Sequence, residues 1–164
     1  MTKQHQKAVF ASGCFWGTQY YLGKAKGVIN TTVGYTGGTV VEPSYDQVSG
    51  GKTGHVEAVE VQYDPAVIDY ETLAKIFFET HNPTQVGGQG PDIGPQYQSK
   101  IFYGNEQEKK IAEKLIQVLR DKGMDIATVV EPAGPFYPAE DYHQDYYAKT
   151  GGTPYCHVYH KLFD

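Results

Sequence analysis

The feature that most restricts the fold of this chain is a repeated change of hydrophobic period. Short apolar and β-branched runs alternate with segments whose apolar residues recur at helical spacing. Lys7 to Ser12 (KAVFAS) is an apolar run stopped by Gly13 and predicts a first strand. Phe15 to Lys26 places Phe15, Tyr20 and Leu22 near helical spacing ahead of Gly27, which predicts a helix beginning just after Cys14. Val28 to Tyr35 predicts a second strand, and the Gly-, Ser- and Thr-rich stretch from Thr36 to Thr53 an exposed loop carrying Tyr45. In His55 to Tyr63 (HVEAVEVQY) Val56, Ala58, Val59 and Val61 compete for both faces of a strand, so a slip in register is expected at Ala58-Val59.

Tyr70 to His81 predicts a helix with Asp69 as its N-cap and Leu73, Ile76 and Phe77 on one face. The segment Asn82 to Gln98 (NPTQVGGQGPDIGPQYQ) reads as one long loop, and a loop of that length inside a compact domain usually has a function. Ser99 to Tyr103 is the next strand. Asn105 to Lys122 is the clearest helix, with Asn105 and Glu108 in capping-box spacing and a stripe of Ile111, Leu115, Val118 and Leu119. Thr128 to Glu131 is a last strand, followed from Pro132 by an irregular C-terminal tail with a short helical piece near Glu140 to Tyr147. This order predicts an α/β (α+β) two-layer sandwich of ferredoxin-like, split βαβ type, with a mixed or antiparallel sheet. With 164 residues and no internal repeat or linker, residues 1–164 are expected to form a single domain.

The formal net charge is −5 and no run of Lys or Arg forms a basic stripe, which argues against nucleic acid or an anionic membrane as the main partner. No stretch approaches the roughly 18–20 apolar residues of a membrane span, and the N-terminus has no apolar segment of signal-peptide length. A cytoplasmic monomer is the expectation. Two cysteines are too few for a disulfide scaffold, so they are expected as thiols or as a transient redox pair.

Cys14 lies in Gly13-Cys14-Phe15-Trp16-Gly17, which also holds the only Trp of the chain. A thiol at a strand-to-helix junction meets unpaired N–H groups and the positive end of a helix dipole, both of which favour thiolate. The same position also suits a buried, inert cysteine. A reactive Cys14 is compatible with a cysteine hydrolase using a histidine base, and the aromatics with a binding module that has no catalysis. Read alone, Glu57 fits a solvated strand face, Tyr45 and Tyr97 fit structural loop residues, and Asp92 fits a turn. Cys156, His157 and His160 lie close in sequence but lack the four-ligand spacing of structural zinc, so no metal is expected.

Gly13-Cys14-Phe15-Trp16-Gly17 resembles the signature of the A-type peptide methionine sulfoxide reductases, which reduce the S epimer of methionine sulfoxide. The similarity continues through Gly34-Tyr35-Thr36-Gly37-Gly38, Pro43 to Val59 and Tyr63-Asp64-Pro65. It extends through Gln89 to Gly94 with Gln96-Tyr97, and Ala139 to Tyr147 (AEDYHQDYY). The chain departs from the family pattern at Gly88, Pro91, Pro95 and Gln98, all in the long loop.

The resemblance implies roles. Cys14 would be the nucleophile, Glu57 the group that protonates or hydrogen-bonds the sulfoxide oxygen, and Tyr45 and Tyr97 further contacts to that oxygen. Asp92 would stand near the nucleophile, and Phe15 and Trp16 would wall the substrate methyl group. Attack leaves a sulfenic acid, for which Cys156 is the candidate resolving cysteine, with an external thiol as the alternative. Thioredoxin or a similar dithiol is the implied reductant and partner, and since the electrons then come from thiols no cofactor is implied. A raised pKa for Glu57 is expected if burial is to make it an acid. His143 and Asp145 are expected to support hydrogen bonding of the tail around the site, and His55 to neighbour the pocket wall.

Overall fold

The computed structural model describes residues 5–152, 154, 157 and 159–163. Its elements run β1 (Gln6–Ser12), α1 (Phe15–Gly23), β2 (Val28–Thr36), α2 (Tyr45–Ser49), β3 (Val56–Tyr63), α3 (Tyr70–Glu79), β4 (Gly88–Gln89) and β5 (Asp92–Ile93). A 3₁₀ turn at Pro95–Tyr97 leads to β6 (Ser99–Tyr103), α4 (Glu106–Asp121), β7 (Val129–Pro132) and β8 (Phe136–Pro138), and a second at Asp141–His143 to α5 (Tyr146–Thr150). The six-stranded sheet has the order β7-β6-β1-β3-β2-β8. All its pairs are antiparallel except β6 with β7, so the sheet is mixed. Its inner strands β6-β1-β3-β2 are joined by α1 between β1 and β2 and by α3 between β3 and β6, which is the split βαβ arrangement the periodicity predicts.

β3 runs along the middle of this sheet, and both of its faces are covered. Val59, Val61 and Tyr63 join the main core with Phe10, Val33, Leu73 and Phe77, while Val56 and Ala58 join a smaller cluster with Ala11 and Phe102. Two buried faces explain why the apolar residues of β3 do not alternate, and no slip occurs at Ala58-Val59. The irregularity lies instead in β2, between Val28 and Asn30, which pair with consecutive residues of β3. Alternation puts Glu57 on the same face as Val59 and Val61, toward the main core.

Other differences have local causes. α2 forms inside the expected loop because Ser44 and Gln47 make a reciprocal capping box. Asn105 caps α4 by accepting from the Glu108 N–H, but Glu108 Oε1 accepts from the N–H of Gly104, one residue before the box position. The segment 82–98 contains the β4–β5 hairpin and a 3₁₀ turn, and the buried side chain of Gln89 closes its base with hydrogen bonds to both Asn82 N–H and Asn82 C=O. Part of the expected irregular tail is β8, an edge strand on β2 that tolerates Pro138 because it closes the sheet.

The tail returns to the helix layer at the end of α3. Buried Glu79 accepts through Oε2 from the N–H groups of Leu162 (2.9 Å) and Phe163 (3.2 Å), and its backbone carbonyl accepts from His160 N–H. Glu79→Ala leaves two amides without their acceptor and should lower stability by about 1–3 kcal/mol. Denaturant unfolding measures the loss, and amide exchange at Leu162 and Phe163 should accelerate ahead of the sheet.

Candidate active site

β1 ends at Ser12, Gly13 turns the chain with φ of +93°, and Cys14 becomes the N-cap of α1. A Cβ on Gly13 would meet Gln89 Cβ at 2.5 Å, so both the turn and the packing against the long loop require glycine. Gly17 serves a different neighbour. A Cβ there would meet the His157 ring at 2.3 Å, so this glycine makes room for an imidazole rather than for a ligand. Cys14 is buried, with its carbonyl taken up by Gly17 and Thr18 in the first turn of α1. Its side chain stands where the helix dipole is positive.

Cys14, Phe15, Trp16, Tyr45, Glu57, Asp92 and Tyr97 line one cavity of about 80 Å³. They arrive from four places: the start of α1, the start of α2, β3, and the β5-to-3₁₀ part of the long loop. Every residue to which the resemblance gives a part in the reaction is therefore in one place except Cys156, which lies outside the described residues. Glu57 is 2% exposed, and its Oε1 accepts from the Phe15 N–H at 3.2 Å. Burial pushes its carboxyl up to about 8; the Phe15 N–H opposes this and the nearby Asp92 adds to it. Burial likewise holds the Tyr97 and Tyr45 hydroxyls above their ordinary value, helped at both by the charge of Glu57 and Asp92. Both therefore stay protonated donors through neutral pH.

The aromatic wall is held from behind. Phe15 is buried against Tyr35 and His143, with ring centroids 5.7 and 5.2 Å away. Half-buried Trp16 donates Nε1–H to His143 Nδ1 at 3.0 Å and stacks on Tyr146 at 3.8 Å with 9° between planes. The His143 ring lies 4.5 Å from that of Tyr45. His143 thus does what the tail was expected to do, through an indole.

Glu140, a residue the sequence analysis passed over inside AEDYHQDYY, ties the remaining parts together. Its Oε1 accepts from Tyr35 OH at 3.0 Å and its Oε2 from Tyr45 N–H at 3.1 Å, which fixes the start of α2 over the sheet. Despite partial desolvation, these donors and its own N–H hold the Glu140 carboxyl below the usual range. Gln144 clamps the same segment to Val33, accepting from its N–H and donating to its C=O. A signal for both was present in their place inside the quoted stretch, but no spacing rule connects them to Tyr35 or Val33.

The histidines sort differently from expectation. His55 is not at the wall. Its Nδ1 accepts from Gly38 N–H at 3.0 Å and its Nε2 donates to Val40 C=O, which shapes the loop after β2. His157 is buried behind α1, with Nε2 donating to Ser12 C=O at 2.7 Å, and desolvation lowers it to about 4. Among the described residues no histidine lines the Cys14 cavity, so the imidazole base of a cysteine hydrolase has no counterpart there. No helix of the described residues is long and apolar enough to cross a membrane.

The family model described as "Peptide methionine sulfoxide reductase" matches residues 6–163. The chain is 46% identical over 151 residues to a peptide methionine sulfoxide reductase MsrA of Acinetobacter baumannii (strain AYE), covering 92% of this chain and 87% of that protein. Its structure is similar to that of Mxr1 from Saccharomyces cerevisiae in reduced form, with TM-score 0.88, 35% identity and coverage of 95% of this chain and 92% of the other. It is also similar to Mxr1 in complex with Trx2, with TM-score 0.63, 28% identity and coverage of 95% and 90%. With a family model spanning nearly its whole length and relatives at this identity, the chain belongs to the peptide methionine sulfoxide reductase family, in its A type.

Proposed function

We propose that this chain reduces the S epimer of methionine sulfoxide, free and in proteins, to methionine at Cys14. The observation that carries this reading is a buried carboxyl, Glu57, in the same small cavity as a thiol and two tyrosines. The Cys14 thiolate attacks the sulfoxide sulfur while Glu57 gives its proton to the sulfoxide oxygen. Oxygen then passes to Cys14 as a sulfenic acid, and methionine leaves with the sulfur electron pair restored. A second thiol displaces water from the sulfenic acid to form a disulfide, which a dithiol reductant opens. Cys156 or an external thiol fills the resolving role, and a thioredoxin is the reductant, as supported by the likeness to Mxr1 in complex with Trx2.

The roles of the other cavity residues follow from their chemistry. Tyr45 and Tyr97 donate hydrogen bonds to the sulfoxide oxygen, where charge develops in the transition state. Burial keeps Glu57 protonated, and the negative charge of Asp92 adds to that effect. Phe15 and Trp16 hold the methyl group in an apolar wall that has no partner for an oxygen, which selects one arrangement around the sulfur. The cavity draws its lining from positions 14 to 97 and its backing from Glu140 and His143, which supports a single catalytic domain spanning 1–164. Dependence on a dithiol reductant, and the presence of only two cysteines, support work in the cytoplasm.

Three measurements test the reading. Mixing the protein with methionine S-sulfoxide without reductant should release one methionine per Cys14, seen by mass spectrometry, and Cys14→Ser should release none. Release of less than one equivalent by a fully thiol-titrated sample would overturn it. Because Glu57 must be protonated to act, the rate of the sulfoxide-reducing step should fall as pH rises through about 8. Glu57→Gln should slow this step by about 10²–10⁴-fold and remove that limb; an unchanged limb would assign it to another group. Tyr45→Phe and Tyr97→Phe should each cost about tenfold or more in the same step, and the pair together more than either alone.

A further inference from the structure

Trp16 lines two cavities. One is the Cys14 cavity, and the other is a groove of about 360 Å³ bounded by α1, the first residues of β2 and the start of α5. Tyr146, stacked on Trp16, belongs to the groove and not to the Cys14 cavity, so the stacked pair forms a partition between the two. An extended peptide advances about 3.3 Å per residue, so a chain held in the Cys14 cavity clears this partition two or three residues away.

The groove has a definite chemistry. It is lined by Tyr20, Tyr146 and Tyr147 together with exposed Asp145, the acidic residue of the lining. Asp145 is fixed in place by its backbone. It adopts a left-handed φ of 53°, and its N–H donates at 2.7 Å to Oε1 of buried Gln19, one helical turn beyond Trp16. Among the described residues no lysine, arginine or histidine pairs with its carboxylate. Among the described residues the one cation lining the groove is Lys24, which sits 3.8 Å over the Tyr20 ring at the far end of α1. Asp145 thus supplies the negative charge beside Trp16, and Lys24 over Tyr20 shows an ammonium group on one of the groove's rings.

We infer that this groove is a subsite for polypeptide substrates: it receives the basic side chain of an arginine or lysine flanking methionine sulfoxide, with the cationic head paired to Asp145 and the stem laid on Tyr146. The inference rests on the reading that the Cys14 cavity takes the sulfoxide. A solvated ion pair assisted by an aromatic face corresponds to about a three- to tenfold preference, screened as ionic strength rises.

The test uses blocked peptides carrying methionine S-sulfoxide with Arg, Ala or Glu two positions away on either side. kcat/KM is measured in the intact chain and in Asp145→Asn, each value divided by that protein's own value for free methionine S-sulfoxide. Asn accepts the left-handed backbone and removes only the charge. The expected result is a three- to tenfold advantage of Arg over Glu at low salt in the intact chain, reduced at 0.5 M salt and absent in Asp145→Asn. Equal rates for Arg and Glu peptides in the intact chain, or the same advantage in Asp145→Asn, would overturn the inference. Failure of the intact chain on free sulfoxide and peptides alike would instead overturn the reading of the Cys14 cavity, and the inference with it.

Discussion

The hydrogen bond from the Phe15 N–H to Glu57 Oε1 joins β3 to the first turn of α1 in the buried layer between sheet and helices. Phe15 is the neighbour of Cys14, so this one contact sets the distance between a thiol and a carboxyl that are remote in sequence. Among the described residues it also leaves Glu57 with a single N–H donor for a carboxylate that burial strongly disfavours, and one donor does not offset that desolvation. The neutral acid and the placed thiol are thus two results of the same packing.

The rest of the site is arranged around that contact. Tyr35 pairs with Glu57 across β2 and β3 and passes a hydrogen bond to Glu140, which in turn holds the start of α2 and hence Tyr45. His143 accepts from the Trp16 indole and lies with its ring tilted against that of Tyr45, so the tail is the backing of the aromatic wall. Glu79 and Gln144 fasten that tail to α3 and β2 with hydrogen bonds to main-chain groups, which depend little on the residues they hold. Several of the fourteen tyrosines of the sequence combine apolar bulk with a useful hydroxyl: Tyr35 and Tyr21 donate to the tail, while Tyr45 and Tyr97 line the cavity.

Strong local signals were legible in the sequence and weak ones were not. α3 and α4 carry an N-cap and a long apolar stripe, and both appear within a residue or two of their expected ends. β8, α2 and the β4–β5 hairpin are short and depend on a neighbour, so periodicity had little to count. In α2 the Ser44–Gln47 box was present but outweighed by the Gly-rich surroundings. The slip expected in β3 came from assuming one wet face; with both faces covered, a run of apolar residues needs no slip.

The sequence by itself determined the split βαβ order, the position of Cys14 at a strand-to-helix junction and, through its resemblance to a family, the names of the cavity residues. These depend on local period, turn chemistry and motif, all of which are written along the chain. Tertiary structure alone decided that Glu57 faces the core rather than water, that Glu140 and His143 hold Tyr45 and Trp16, and that Gly17 serves an imidazole. Alternation along β3 allows either face for Glu57, and only the packing of α1 over the sheet removes the water that would have kept its carboxyl ionised.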